Sequence, residues 1–280
     1  INQLNNTALI TISTSQFREG TSLLSKINKG VYNLGISNAT VEDVVLPDLG
    51  TATGTELKLG YNSKVKSISI VDTTDAIDIG LDKLQRVGIK IKSIAQNNTA
   101  IDKTLELDAS QIKADASVLG KIITGYQLAA QNAASTQLNN LLSNKKVISI
   151  DVVDNAANIS KNWNSINSIN SSVISSVKVT DGNTAAVKIS ASQLAVSKSL
   201  INRFSPPDAN GVARFKLEVS EATASQIVDL MNSDEVTKFD IKDTSENISQ
   251  HLTDLLNADS NDKLNYVKTA NKAQLLMDFT

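Results

Sequence analysis

Two motifs recur along this chain in a common register, and that repetition limits its fold more than any other feature. An alternating strand followed by Ala-Ser-Gln and then Ile or Leu appears at residues 103–112 and again at 187–194. Residues 9–17 read the same way, and a degenerate copy, Ala273-Gln274-Leu275, lies near the end. The glutamines fall at positions 16, 111, 193 and 274, separated by 95, 82 and 81 residues. The second motif is a strand that ends in aspartate and leads into a helix. Residues 65–73 precede Ile77, Leu81 and Leu84; residues 147–154 precede Ile159, Trp163 and Ile166; residues 236–244 precede Ile248, Leu252 and Leu255. Its aspartates, Asp72, Asp154 and Asp243, stand 82 and 89 residues apart.

Two motifs holding one register define tandem α/β units of roughly 80–95 residues. The register divides the chain into residues 1–64, the second half of a unit with an inserted loop; 65–146 and 147–235, two complete units; and 236–280, the first half of a further unit. Homologous copies are expected to flank this piece wherever the parent protein continues.

Within a unit, period-2 alternation over 65–71 predicts a strand, and the apolar spacing after Asp72 predicts a helix. Gly88 releases the chain into a strand at 89–94, and a polar turn at 96–98 leads to the strand 104–108. A helix from Ser110 presents Ile112, Leu119, Ile122 and Ile123; a short strand at 125–128 and a helix at 132–143 follow. The order is β-α-β-β-α-β with a connecting helix, which fits a split βαβ, ferredoxin-like arrangement or an open stack of strands and helices. In the second unit, Pro206-Pro207 and Gly211 end a helix at 192–203 before a strand at 212–219. The longer first spacing places an inserted loop at Pro47–Gly60.

Composition excludes several chemistries. There is no cysteine, so disulfides, thiolate nucleophiles and Cys-ligated metals are ruled out. Twenty-seven basic and 29 acidic residues, without long runs, give no basic face for nucleic acid. No apolar run is long enough to span a bilayer. Hydrophobic residues reach 41% but aromatics only 4%, which suits many thin aliphatic layers.

Catalytic constellations are not found. The sole histidine, His251, sits between Ile248 and Leu252 on a helix expected at 244–257, and no second histidine accompanies it. Glycines 50, 54 and 60 do not match a phosphate-binding loop. Asp72, Asp154 and Asp243 occupy helix N-cap positions, and Ser15, Ser110 and Ser192 are further N-cap candidates. Glu246 completes a capping-box-like pair with Asp243. The same three aspartates are the candidate metal positions, with calcium as the cofactor they would take. The alternative is that capping alone explains them. Trp163 replaces leucine in a core position, and the glutamine after each serine reads as a first-turn contact.

The strand–Asp-x-x-x-Asn-Ile segments (Asp154 to Ile159, Asp243 to Ile248), the strand–Ala-Ser-Gln segments and the Gly125-Tyr126-Gln127-Leu128 strand resemble very large bacterial repeat proteins exported to the cell surface. These are S-layer proteins and type I-secreted adhesins. The resemblance implies an extracellular, non-catalytic structural segment that self-associates or meets neighbouring copies. It also implies, as the alternative, a stalk or adhesin module that binds a host ligand or cell-surface polysaccharide through the variable loops 47–63 or 204–212. Members are often calcium-dependent, but the glycine–aspartate nonapeptides that usually hold the ions are absent here.

Overall fold

The computed structural model describes residues 9–27, 32–45, 59–97, 103–169, 172–204 and 215–270. Its elements alternate. The first set is β1 (Leu9–Ser13), α1 (Thr14–Glu19), α2 (Thr21–Lys26), β2 (Asn33–Ala39), α3 (Val41–Val44), β3 (Val65–Asp72), α4 (Thr74–Arg86) and β4 (Ile91–Gln96). Next come β5 (Thr104–Asp108), α5 (Ala109–Ala114), α6 (Ala116–Leu119), β6 (Gln127–Ala133), α7 (Leu138–Ser143), β7 (Val147–Asp154), α8 (Ala156–Asn167) and β8 (Ile174–Val179). The last are β9 (Val187–Ser190), α9 (Ala191–Ala195), α10 (Lys198–Ile201), β10 (Leu217–Ala222), α11 (Ile227–Met231), β11 (Val236–Asp243), α12 (Ser245–Gln250), α13 (Leu252–Ser260) and β12 (Leu264–Thr269).

The protein is mixed α/β with three parallel sheets of four strands, ordered β1-β2-β3-β4, β5-β6-β7-β8 and β9-β10-β11-β12. Sequential neighbours pair in parallel, as Leu9 with Asn33 and Ile70 with Ile94 illustrate. The split, ferredoxin-like pairing expected from the element order is therefore corrected to sequential parallel pairing. Each strand is followed by a connection that returns the chain to the same end of the sheet, which a parallel neighbour requires.

The chain divides into two compact units, residues 1–130 with 146–148, and residues 131–145 with 149–280. The strands flanking positions 64/65 and 235/236 are sheet neighbours, β2 with β3 and β10 with β11.

In the first unit the core is aliphatic. Leu34, Ile68 and Ile70 on the strands and Ile77, Leu81 and Leu84 on α4 are almost fully buried. The helical residues recur at the spacing of one face, which is why 74–86 folds as an amphipathic helix. Gly80 lets α4 approach α3 closely, because a Cβ there would meet Val41 Cγ1 at 2.3 Å.

Among the described residues the buried aromatic rings lie in the second unit. Trp163 is fully buried, its indole nitrogen donates to Ser197 Oγ at 2.9 Å, and Ser197 is itself buried. Phe204 stacks between Trp163 and Phe215, with centroids 5.9 and 4.3 Å away. Trp163 is thus the core residue the sequence indicated.

Three long helices are interrupted. The helix from 110 begins at Ala109 and breaks at Asp115; the one expected at 192–203 breaks at Val196–Ser197; the one expected at 244–257 breaks at His251. The strand begun at Gly125 instead runs over Gln127–Ala133, and the helix set at 132–143 is a 3-10 turn at Ser135–Gln137 followed by α7. Pro47–Gly60 lies mostly outside the described residues, as do 205–212 of the second variable loop and the Gln274 motif.

Candidate functional site

Each candidate aspartate ends a strand and has its carboxylate among helix N-termini. The N-caps are the residues just after them, Thr73, Asn155 and Thr244, whose side chains accept from the amides of Ala76, Asn158 and Asn247. The capping assignment of Asp72, Asp154 and Asp243 is corrected by one residue. In each Asp-Thr or Asp-Asn pair, the second residue is the one whose side chain reaches the third helical amide.

The aspartates make a different bond. One oxygen accepts the amide of the N-cap that follows, and the other reaches back to the first turn of the preceding helix. Asp72 joins Thr73 and Val41, each at 2.8 Å. Asp154 joins Asn155 at 2.9 Å and the Ser135 amide and hydroxyl at 2.9 and 2.8 Å, and it also receives Asn158 Nδ2 at 2.7 Å. Asp243 joins Thr244 at 2.7 Å, Ala224 at 2.9 Å and Asn247 Nδ2 at 2.8 Å. The Asp-x-x-x-Asn spacing thus places an amide donor one helical turn after the carboxylate it serves. At Asp72 that place is Ala76, and the bond is not available.

The clasps on Asp154 and Asp243 favour the charged carboxylate. Burial works against ionisation of Asp154, but bonds from Asn158, Ser135 and Asn155 outweigh it and lower the pKa below the ordinary value. Asp243 is lowered by the same balance, with Ala224, Asn247 and Thr244 as donors. At Asp154 the protein's own donors occupy the places a cation would take. Both oxygens of Asp154 already accept two donors each, and an ion would have to displace hydrogens pointing at it. Among the described residues no group of three His, Cys, Asp or Glu is placed to hold a metal.

The glutamines close capping boxes at the other helix starts. Gln16, Gln111 and Gln193 accept from the amides of Ser13, Asp108 and Ser190, at 2.9, 3.0 and 2.8 Å. Ser13, Asp108 and Ser190 are therefore the N-caps, two residues before Ser15, Ser110 and Ser192. Gln226 and Asp43 accept in the same way from the amides of Thr223 and Thr40, and Gln137 from that of Ala134, whose methyl side chain cannot return the bond. These last three were not singled out in the sequence, although Ala224-Ser225-Gln226-Ile227 after a strand repeats the Ala-Ser-Gln spelling outright. Glu246 lies in the first turn of α12, where its charge suits the helix dipole, but the third residue after N-cap Thr244 is Asn247.

Just before three of these caps the backbone turns left-handed at Asn38, Asn132 and Glu221, with φ of 54°, 53° and 56°. Register shifts in β2 and β10 fall at the same places, so the strand bulges as it enters the helix.

His251 caps the break between α12 and α13 and pairs with Asp254 at 3.0 Å, without a nucleophile in the pair. The first unit has a cleft of about 770 Å³ lined by Phe17, Arg18, Tyr32, Asp43, Leu59 and Tyr61 among others. Arg18 pairs with Asp43 there, and Lys64 lies over the Tyr32 ring at 4.3 Å. No helix among the described residues is long and apolar enough to cross a membrane.

No family model matches the chain, and no curated protein or solved structure matches it.

Proposed function

We propose that the chain is a non-catalytic, tandem-repeat structural segment of a bacterial cell-surface coat, of S-layer or similar type, acting outside the cell by self-association. The observation that carries this reading is the recurrence of one load-sharing bond. Asp72, Asp154 and Asp243 each tie a strand end to two successive helix starts. Such bonds tie successive elements to one another along the chain, which suits a scaffold. The test is assembly of the purified chain, with and without calcium, followed by light scattering and negative-stain microscopy. Ordered sheets or filaments support the coat; a substrate turned over through named residues would sink it.

A stalk or adhesin module is the second reading. It is favoured by the cleft of the first unit, where Leu59, Tyr61, Asn62 and Ser63, from the described end of the 47–63 loop, line the same cleft as Arg18 and Tyr32. Deleting 47–58 with retention of the fold should abolish binding of a host or glycan ligand on this reading; unaltered binding dismisses it.

A further inference from the structure

We infer that the outward face of the first sheet, at Lys66 on β3 and Lys92 on β4, binds an acidic polysaccharide through its carboxylates. This goes beyond both readings above, since it needs neither self-association nor the loop 47–63. What points to it is a carboxylate that the second unit carries on its own strands and the first unit lacks.

Val65, Ile68 and Ile70 on β3 and Ile91 and Ile94 on β4 are buried in the core. Alternation turns Ser67, Ser69 and Ser93 to the opposite face, where they are half-buried. Two register shifts add lysines to this face. Leu34 pairs with Val65 and Gly35 with Ser67, so Lys66 is the extra residue of a bulge. Ile68 pairs with Ile91 and Ser69 with Ser93, so Lys92 is the extra residue of the next. Both lysines are exposed, and neither forms an ion pair among the described residues.

The same bulges in the second unit are built from neutral residues beside an acid. Ile150 pairs with Ile174 and Asp151 with Ser176, leaving Ser175 as the extra residue. Asp151 accepts from both hydroxyls, Ser175 at 2.6 Å and Ser176 at 2.7 Å. Likewise Phe239 pairs with Leu264 and Asp240 with Tyr266, leaving Asn265, and Asp240 accepts from the Tyr266 hydroxyl. By register Ser69 stands in the place of Asp151 and Asp240, Ser93 in that of Ser176, and Lys92 in that of Ser175. The first sheet thus keeps one hydroxyl donor, exchanges the other for an ammonium, and has no carboxylate for them to serve. A ligand carboxylate completes the set, with the Ser93 hydroxyl and the Lys92 ammonium as its donors.

Charge points the same way. Strands β1–β4 carry a single acid, Asp72, whose oxygens already accept the Thr73 and Val41 amides. Lys90 donates to the Asn62 carbonyl at 2.8 Å, and burial together with the nearby Lys66 charge pushes its ammonium below the usual value. In the second unit, by contrast, Lys188, Lys238 and Lys242 are paired with Glu218, Asp262 and Glu221. A polymer of carboxylate-bearing sugars relieves the crowded positive charge of the first face, and its hydroxyls find partners in Ser67 and Ser69. Strands β1–β4 hold no aromatic residue on which the bases of a single-stranded nucleic acid could stack. The serine rows also suit a polyol better than the apolar core of a protein interface.

The test is isothermal titration of the full chain at low salt with polygalacturonate, a polymer of carboxylate-bearing sugars, and with uncharged dextran. Polygalacturonate should bind, dextran should not, and the affinity should fall as salt rises. Lys66→Glu with Lys92→Glu should weaken binding by about tenfold or more. Ser69→Asp supplies the carboxylate from the chain itself, as Asp151 does, and should weaken binding to a similar degree without loss of stability in urea. Lys113→Glu with Lys178→Glu makes the same change of net charge at exposed positions elsewhere and should leave binding unchanged. Equal losses from the two lysine pairs would overturn the site in favour of general charge attraction, and so would binding unaltered by Ser69→Asp. Duplex DNA bound as tightly, and released by the same variants, would overturn the choice of a polysaccharide. No binding of polygalacturonate at low salt overturns the inference outright and leaves the self-association reading untouched.

Discussion

Ser135 meets Asp154 through two hydrogen bonds to one carboxylate oxygen, from its amide at 2.9 Å and its hydroxyl at 2.8 Å, across 19 residues of sequence. The other oxygen is held by Asn155 and Asn158. A buried carboxylate with four donors is favourable only as a set, since removing it leaves several donors without partners.

The number of donors ranks the three aspartates. Asp154→Ala should cost about 2–4 kcal/mol. Asp243→Ala should cost less and Asp72→Ala least, because the last accepts from Thr73 and Val41 without a side-chain amide. Urea denaturation of the three variants checks the order, and equal losses would contradict it.

Acid should act on the two units in opposite directions. Asp115 in the first unit is buried and has Asp82 beside it, which together push its carboxyl up to about 6. The native state then keeps a proton that the unfolded chain has released, so this unit loses stability as pH rises from the ordinary aspartate range through about 6. Asp154 and Asp243 are lowered, so the second unit keeps their contribution above the ordinary range and loses it as pH falls below it. Hydrogen exchange resolved by unit, measured across this range, reads both trends. Asp115→Asn should flatten the first unit's trend alone.

The sole tryptophan is a probe of the second unit. Trp163 should emit as a fully buried indole and shift to the red only when that unit unfolds. Trp163→Ala should cost about 3–5 kcal/mol. Ser197→Ala should cost less, since it removes the partner of one indole N–H. Solvent-exposed emission from the native chain would contradict the packing.

Capping by the glutamines should be measurable one helix at a time. Gln193→Ala removes the acceptor of the Ser190 amide and should cost about 1 kcal/mol. Gln226→Ala should cost a similar amount, since Gln226 accepts from the Thr223 amide at 2.9 Å in the same Ala-Ser-Gln setting. A neutral Gln226 would show that the box at Thr223 is not held in solution.

Much of the local structure was legible because it is written in periodicity. Alternation marked β3, β7 and β11, and the 3–4 spacing of Ile77, Leu81 and Leu84 marked α4. Strand pairing was not legible, since alternation gives the face a residue occupies but not the neighbour its backbone meets. The helix breaks at Asp115, Val196–Ser197 and His251 carry neither glycine nor proline, the residues that usually announce one. The left-handed Glu221 is hidden for a related reason, because glutamate has no special preference for that conformation. The site was half legible. Repetition located Asp72, Asp154 and Asp243, but their partners Val41, Ser135 and Ala224 belong to a preceding helix and contribute backbone amides, which no side-chain pattern records.

The most direct test of the structural, self-associating role is a concentration series of the purified chain by sedimentation velocity, run with calcium and with chelator. The account predicts species that grow with concentration in both conditions, because the carboxylates it relies on are already satisfied by protein donors. A single monomeric species at every concentration, with or without calcium, would contradict it.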